Sequence, residues 1–310
     1  MNKKICLMFS GQGSQKTGMG KSLFNHSKKA KQIFECASDV LNCNMLDLCT
    51  NEANSEKLLQ TGFAQPAIVA VSLAAFQALI QNEIEFSAVV GHSLGSVSAI
   101  AAAKVVSAEN CFKIVKARAE AMQLCENENG GAMCAIINSN PAEVNAACKS
   151  ANGYVVCANF NGAKQIVISG ERTAVCEAAA SLKEKNCRCV ELKVKAAFHS
   201  KLMEKAVQPF EQALRSIEFK IPEVDIYSNV TGKKIDANEN IKKLLVEQIV
   251  SPVLFTTNLL ELEKAGFDTF IELGPGKPLC AMVKSTLNNA KIFNVCDEKS
   301  LSETLKSLQT

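Results

Sequence analysis

Tryptophan is absent from the 310-residue chain, which also has only two tyrosines and three histidines. Aromatic residues make up 5% of the total, so few rings are available to stack on bases, and 34 basic residues nearly balance 31 acidic ones. This composition gives no support to nucleic-acid binding. The hydrophobic fraction of 47% and charged fraction of 21% exclude disorder as a description of the whole chain. The length allows one large domain or two smaller ones.

Long apolar runs are also missing. The longest apolar stretch, Ala67 to Ile80, has about 14 residues and includes Ser72 and Gln77, so we expect a buried core helix and no membrane partner. The N-terminus enters an apolar strand, Ile5–Phe9, almost at once, which leaves no room for a signal or transit peptide. We therefore expect a cytoplasmic protein, or one of an organelle stroma if a transit peptide has been removed.

The 14 cysteines include no C-x-x-C motif, and the closest pair is Cys187 and Cys189. At about 4.5% of a long chain, they are too few for a disulfide scaffold. We expect most of them to be reduced and buried as small hydrophobic residues. The spacing predicts no metal site and no bound cofactor.

Three apolar strands each lead into a glycine turn. They are Ile5–Phe9 before Gly11-Gln12-Gly13, Ala88–Val90 before Gly91-His92-Ser93-Leu94-Gly95, and Thr269–Glu272 before Leu273-Gly274-Pro275-Gly276. An Ala-rich helix follows the second turn, and Pro66 predicts a helix that starts at Ala67. These units predict an α/β core with a parallel sheet.

The middle of the chain has a different pattern of secondary structure. Between about Gly130 and Lys195, short strands and helices follow the order β-α-β-β-α-β, which is the ferredoxin-like signature. We predict a ferredoxin-like subdomain over residues 130–195. It is inserted into a discontinuous core made of residues 1–129 and 196–310.

Gly91 to Gly95 match the pattern G-x-S-x-G, in which a serine lies on a sharp turn between a strand and a helix. Glycines flank the serine because the turn is crowded. An apolar strand enters this turn and a helix of small residues leaves it, and the N-terminus of that helix can stabilise developing negative charge. Ser93 is therefore the candidate nucleophile.

A serine nucleophile requires a base, and the candidates are His26, His92 and His199. His26 lies in a polar, lysine-rich stretch and is expected at the surface. His92 adjoins the serine, so its side chain should diverge from the hydroxyl and lie near the oxyanion or substrate site. His199 follows a predicted strand at the point where the insert rejoins the core, which makes it the best candidate base.

No aspartate occurs between Ser93 and His199, where an α/β-hydrolase would carry its acid. A backbone carbonyl or an amide side chain could orient the histidine instead. The residues therefore predict a Ser-His dyad.

Several motifs together resemble one family, the malonyl-CoA:acyl carrier protein transacylases and related acyltransferase domains of fatty-acid and polyketide synthesis. The resemblance covers almost the whole chain. It is carried by Phe9 to Gln15, Gln65-Pro66-Ala67, Gly91 to Gly95, Ala117-Arg118-Ala119, Phe198-His199-Ser200, Gln248 to Val253 and Glu272 to Gly276. The family fold, a hydrolase-like core with a ferredoxin-like insert, agrees with the organisation predicted above.

The resemblance implies a ping-pong transfer of malonyl from malonyl-CoA to acyl carrier protein, with an ester on Ser93 and His199 as base. It implies an oxyanion hole formed by the backbone N–H groups of Gln12 and Leu94. Gln248 lies in the segment that orients the histidine. No cofactor is implied, and we expect the protein to act as a monomer.

Two side chains are implied to bind the acyl group. Arg118 would hold the malonyl carboxylate, because a planar guanidinium suits a bidentate pair. Phe198 would crowd a substituent on the malonyl α-carbon, since related polyketide acyltransferases with Phe at this position use malonyl. Packing between the two domains is the alternative role for Phe198.

Two positions depart from the family pattern. Ser10 replaces the usual proline, which could loosen the oxyanion loop, and Ser96-Val97 stands where Glu-Tyr is common. Neither change affects a proposed catalytic group. Two other functions stay open at this stage: a serine esterase or thioesterase, and an inactive scaffold that binds carrier protein.

Overall fold

The structure is a computed structural model that describes residues 4–309. Residues 1–3 and 310 lie outside the described residues. They include the first and last residues of the predicted core and the start of the segment that was considered for a signal or transit peptide. The strands are β1 (Ile5–Phe9), β2 (Ala88–Gly91), β3 (Ala132–Ile137), β4 (Val155–Gly162), β5 (Gln165–Gly170), β6 (Arg188–Glu191), β7 (Asp225–Tyr227), β8 (Thr269–Leu273) and β9 (Lys291–Val295).

The helices alternate with these strands. They are α1 (Lys21–His26), α2 (Lys28–Leu41), α3 (Met45–Thr50), α4 (Thr61–Ile80), α5 (Gly95–Ala102), α6 (Ala108–Asn129), α7 (Pro141–Ser150), α8 (Arg172–Glu184), α9 (Val207–Arg215), α10 (Ile241–Glu247), α11 (Phe255–Lys264), α12 (Pro278–Thr286) and α13 (Glu298–Gln309), with short 3₁₀ helices at Glu52–Asn54, Lys57–Leu59 and Lys201–Ala206.

The first sheet has five strands in the order β7-β2-β1-β8-β9, and every pair in it is parallel. Its strands β1, β2 and β8 are buried along their whole length, because helices cover both faces. The predicted α/β fold with a parallel sheet is confirmed. The edge strands β7 and β9 were not predicted, since β7 has only three residues and carries no recognisable alternation.

The second sheet is antiparallel, with the strand order β4-β5-β3-β6. Along the chain its elements follow the order β-α-β-β-α-β. Side chains of β3 alternate between two apolar clusters: Cys134 and Ile136 pack with helices α7 and α8, whereas Met133 and Ala135 pack into the main core. The last strand, β6, is short, with only four residues.

Strand β4 also joins the rest of the molecule directly. The Phe160 N–H donates to the Val253 carbonyl at 2.9 Å, and the Val253 N–H donates to the Ala158 carbonyl at 2.8 Å. These two bonds attach the end of β4 beside the glycine turns of the parallel sheet. The second sheet can therefore contribute side chains to a site on the first.

Helix α4 begins at Thr61, so the predicted start at Ala67 is wrong and Pro66 lies inside the helix. A proline at this point removes only one hydrogen bond, and the buried surroundings of α4 compensate for that loss. By length and composition, α4 is the one helix in the described residues that could cross a membrane. It is a core helix here, because 83% of its most apolar segment is buried inside the fold.

Candidate active site

The turn between β2 and α5 holds Ser93 in a strained conformation. Its φ of 50° lies in the left-handed region, which costs a non-glycine residue about 1–3 kcal/mol. Both flanking glycines are required by close packing: a Cβ on Gly91 would strike the backbone of Gly95, and a Cβ on Gly95 would strike the Phe9 carbonyl. The crowded turn predicted from the G-x-S-x-G pattern is present.

The Ser93 hydroxyl lies 2.7 Å from Nε2 of His199, so the structure brings the predicted nucleophile and base together. Nδ1 of His199 lies 2.9 Å from the backbone carbonyl of Gln248. Because a carbonyl oxygen can only accept, Nδ1 carries the hydrogen and Nε2 is free to accept the serine proton. Of the two orienting groups considered above, the backbone carbonyl is the one found.

The surroundings of His199 favour its neutral form. Burial and, second, the positive charge of Arg118 together lower the pKa of His199 to about 3. A neutral imidazole can accept a proton, whereas an imidazolium cannot. The site therefore holds the histidine in the state that a general base requires.

Arg118, on α6, lies fully inside the site with only 2% of its surface exposed. Its guanidinium donates to the Gln65 side-chain oxygen at 2.9 Å, to the Ser93 hydroxyl at 3.2 Å and to the Gln248 side-chain oxygen at 3.5 Å. Burial lowers the pKa of Arg118 to about 10, so the side chain is still a cation at neutral pH. Within residues 4–309 no carboxylate forms an ion pair with it.

A buried cation without a counter-charge is costly, because water has been removed and nothing negative replaces it. The guanidinium nevertheless lines a cavity of about 540 Å³ that also contains Ser93 and His199. An anionic group of a ligand in this cavity would supply the missing charge.

Of the two predicted oxyanion donors, Gln12 lines the same cavity, and Leu94 is the buried residue directly after the cavity-lining Ser93. Leu94 follows the nucleophile at the start of α5, and Gln12 lies in the turn after β1. In the part of the chain that the structure describes, neither backbone N–H donates a hydrogen bond, so both are available. The Gln12 side chain is held between Thr61 at 3.1 Å and Gln65 at 3.2 Å.

The other two predicted ligand-binding residues also line the cavity. Nε2 of His92 bonds to the Asn161 side chain at 2.7 Å, so the imidazole points away from the Ser93 hydroxyl, as expected. Phe198 is 6% exposed, and its buried ring forms part of the cavity wall. His26, by contrast, lies at the surface beside Glu298, as predicted.

Three amide side chains in the site were missed as functional candidates. Gln65 fixes Arg118, Asn161 fixes His92, and Asn229 accepts the Ser93 backbone N–H at 2.8 Å. Asn229 lies just beyond β7 at the carboxyl edge of the parallel sheet, where sites of α/β proteins are found. Recognition of β7 in the sequence would have drawn attention to it.

The two departures from the family pattern are both hydrogen-bonded. The Ser10 hydroxyl donates to buried Glu272 at 3.0 Å, and its N–H donates to the Leu273 carbonyl at 3.2 Å, a bond that proline could not make. The Ser96 hydroxyl accepts from the Gln248 amide at 2.9 Å. Ser10 therefore attaches the loop to β8 instead of freeing it.

Comparison with known proteins identifies close relatives. The family described as acyl transferase domain matches residues 6–303. The chain is 34% identical to the malonyl CoA-acyl carrier protein transacylase of Bacillus subtilis (strain 168), over 99% of this chain and 98% of the relative.

Solved structures agree over the same length. The crystal structure of malonyl CoA-acyl carrier protein transacylase from Clostridium perfringens superposes with a TM-score of 0.94 at 36% identity, covering 99% of this chain and 97% of that one. A malonyl-transacylase solved in complex with a type II PKS acyl-carrier protein superposes with a TM-score of 0.93 at 32% identity, covering 98% and 100%.

Proposed function

The chain belongs to the acyl transferase domain family and is an acyltransferase, like the malonyl CoA-acyl carrier protein transacylases. We propose the following reaction for it. It transfers malonyl from malonyl-CoA to the phosphopantetheine thiol of an acyl carrier protein. The route is ping-pong, through an ester on Ser93. The relative solved with its acyl-carrier protein supports the choice of acceptor.

The proposal is based on the guanidinium of Arg118, which lies beside the nucleophile and has no counter-charge among the described residues. Its Nη2 lies 3.2 Å from the Ser93 hydroxyl, in a cavity where nothing in the described chain neutralises it. A malonyl group has a carboxylate at the end opposite its thioester. With that carboxylate on Arg118, the thioester carbonyl comes within reach of Ser93.

In the first half-reaction, the Ser93 hydroxyl oxygen attacks the thioester carbonyl carbon while its proton passes to Nε2 of His199. The Gln12 and Leu94 N–H groups would stabilise the negative oxygen that forms. The carbon–sulfur bond then breaks, and the leaving coenzyme A sulfur takes the proton from His199.

The second half-reaction reverses these steps with a new thiol. His199 accepts the proton of the phosphopantetheine thiol, the sulfur attacks the Ser93 ester, and the ester bond breaks as the serine oxygen regains the proton. Gln248 holds the histidine through its backbone carbonyl in both halves, which keeps Nε2 directed at the serine.

Intact-mass measurement after mixing with malonyl-CoA tests the covalent step. We expect the native enzyme to gain the mass of one malonyl group and Ser93→Ala to gain none. His199→Ala should gain it about 10²–10⁴-fold more slowly, the range for loss of a general base. A Ser93→Ala enzyme that is still labelled and active would disprove the serine ester, and rapid ester hydrolysis without carrier protein would indicate a thioesterase.

Replacement of Arg118 tests the carboxylate site. Arg118→Ala should lower kcat/KM for malonyl-CoA far more than for acetyl-CoA, because a site built for a charged group rejects an analogue without it by about 10⁴-fold. The measurement is the ratio of the two kcat/KM values in the native and variant enzymes. An unchanged ratio would show that Arg118 does not bind the acyl carboxylate.

A further inference from the structure

The side chain of Asn229 is buried directly beneath the nucleophile turn. It follows β7, which pairs with β2, the strand that ends in the Ser93 turn. Only 1% of Asn229 is exposed, and the residue does not line the catalytic cavity. It therefore acts on the site through other residues and not by contact with the substrate.

The amide of Asn229 bonds to both sides of the turn. Its Nδ2 donates to the Gly91 carbonyl at 2.9 Å, and its Oδ1 accepts the Ser93 N–H at 2.8 Å. These backbone partners fix which end of the amide is oxygen, since a carbonyl can only accept and an N–H can only donate. One side chain thus bridges Gly91, two residues before the nucleophile, and Ser93 itself, which holds the left-handed conformation.

The same amide reaches the residue that orients the base. The Gln248 side-chain nitrogen donates to Asn229 Oδ1 at 3.1 Å and to the Ser96 hydroxyl at 2.9 Å. The backbone carbonyl of Gln248 accepts from His199. Asn229 consequently connects the backbone of the nucleophile to the residue that orients the histidine.

A further consequence concerns the oxyanion hole. Asn229 accepts the Ser93 N–H, whereas the next N–H in the turn, that of Leu94, has no acceptor in the described structure. Loss of Asn229 would free the turn to relax from the strained φ of Ser93. The hydroxyl and the Leu94 donor would then move together.

We propose that Asn229 is a positioning residue for acylation, which holds the Ser93 turn and Gln248 in the one arrangement that aligns the nucleophile, His199 and the Leu94 N–H. This inference rests on the proposed Ser93 ester. Asn229 touches neither substrate nor reacting atoms, so its removal should slow acylation and leave malonyl-CoA binding intact.

Asn258 provides a matched control within the same network. It is fully buried, its Oδ1 accepts from Asn229 Nδ2 at 2.9 Å, and its Nδ2 donates to the Ser228 carbonyl at 2.9 Å. No hydrogen bond joins it to the Ser93 turn or to Gln248 within the described chain. Asn258→Ala therefore removes a comparable buried amide without releasing the nucleophile.

The experiment compares Asn229→Ala, Asn229→Ser and Asn258→Ala with the native enzyme. For each, thermal unfolding, KM for malonyl-CoA and the single-turnover rate of ester formation on Ser93 are measured. We expect Asn229→Ala to lose about 10²-fold in the acylation rate, as misplacement of reacting groups by about 1 Å does, with KM nearly unchanged. Asn258→Ala should lose thermal stability and keep its acylation rate.

Asn229→Ser keeps a hydroxyl that can serve one side of the turn but not both, so its rate should lie between those of native and Asn229→Ala. The proposal is overturned if folded Asn229→Ala acylates at the native rate, or if Asn258→Ala slows as much as Asn229→Ala does. If Asn229→Ala does not fold, a native rate in Asn229→Ser overturns it equally. Absence of any ester on native Ser93 would instead be a failure of the proposed function.

Discussion

At the scale of single residues, the chemistry of the site depends on which groups are charged. Arg118 is a buried cation and His199 a buried neutral base, and their states are linked because the charge of one disfavours protonation of the other. In the reaction proposed above, a substrate carboxylate on Arg118 would offset that positive charge. The imidazole would then accept the serine proton more readily, so substrate binding would itself favour general-base catalysis.

This linkage leads to a pH prediction. Burial, and then Arg118, lower the pKa of His199 to about 3 from its ordinary value of 6.5, so kcat/KM for acylation should show no acidic decline near pH 6.5. Rates measured from pH 4.5 to 8 check this. An acidic limb with an apparent pKa near 6.5 would contradict it, and in Arg118→Met any such limb should lie at higher pH than in the native enzyme.

The same shift affects stability, with a definite sign. Between pH 6.5 and about 3 the unfolded chain binds a proton at His199 and the folded chain does not. Acidification through this range therefore lowers the free energy of unfolding, by up to about 1.4 kcal/mol per pH unit from this group.

At the scale of elements, the site depends on how closely α5 approaches β1. Gly95 is the first residue of α5, and its Cα faces the carbonyl of Phe9, the last residue of β1. This close approach brings the start of α5 against the end of β1, directly before the turn that holds Gln12. It is possible only because position 95 has no side chain.

Gly95→Ala should therefore lower the free energy of unfolding by about 3 kcal/mol or more, because the new methyl group meets backbone that cannot move aside. Urea denaturation measures the change. Gly62→Ala in α4 is the matched control, since its nearest neighbour would be the Gln123 side chain at 3.9 Å, and its effect should stay within about 1 kcal/mol. Equal effects at the two glycines would contradict the close approach.

At the scale of the whole molecule, the cavity is assembled from both sheets. The parallel sheet supplies the nucleophile turn, whereas Asn159 and Asn161 of β4 and Met133 of β3 come from the antiparallel sheet. The bonds between β4 and Val253 hold the second sheet against the first. We propose that residues 130–195 form a subdomain whose packing on the core completes the acyl pocket.

The rates at which the cysteines react with an alkylating reagent test whether the core is closed in solution. All 14 are free thiols, and Cys176 on α8 is exposed, whereas Cys6 and Cys111 have no exposed surface and a pKa raised by burial. Iodoacetamide at pH 8 should modify Cys176 first, and Cys6 and Cys111 only when the molecule opens globally. Peptide mapping by mass spectrometry follows the order of labelling.

Cys176→Ser is the control, because it should remove the fast phase and leave the slow one. Labelling of Cys6 or Cys111 as fast as that of Cys176 would mean that the core around β1 and α6 is not closed in solution.

The sequence by itself determined the features that depend on local chemistry. The G-x-S-x-G turn, its flanking strand and helix, and the isolated His199 all follow from residue type and short-range spacing, because steric crowding and strand burial act on neighbours in the chain. The alternation of strands and helices between residues 132 and 191 could likewise be predicted from hydrophobic periodicity and turn residues. The structure shows the predicted turn, the predicted order of elements and His199 beside Ser93, whereas the catalytic roles of the two residues stay predictions.

Only the tertiary structure decided which distant groups meet. Asn229 lies 136 residues beyond Ser93 and follows a strand of three residues, and the acceptor for His199 is a backbone carbonyl, which no residue type reveals. The start of α4 at Thr61 depended similarly on burial outweighing the effect of Pro66. Contacts of this kind come from the packing of whole elements, in which any side chain or backbone carbonyl at the right place can be the hydrogen-bond partner. Short-range sequence patterns therefore do not predict them.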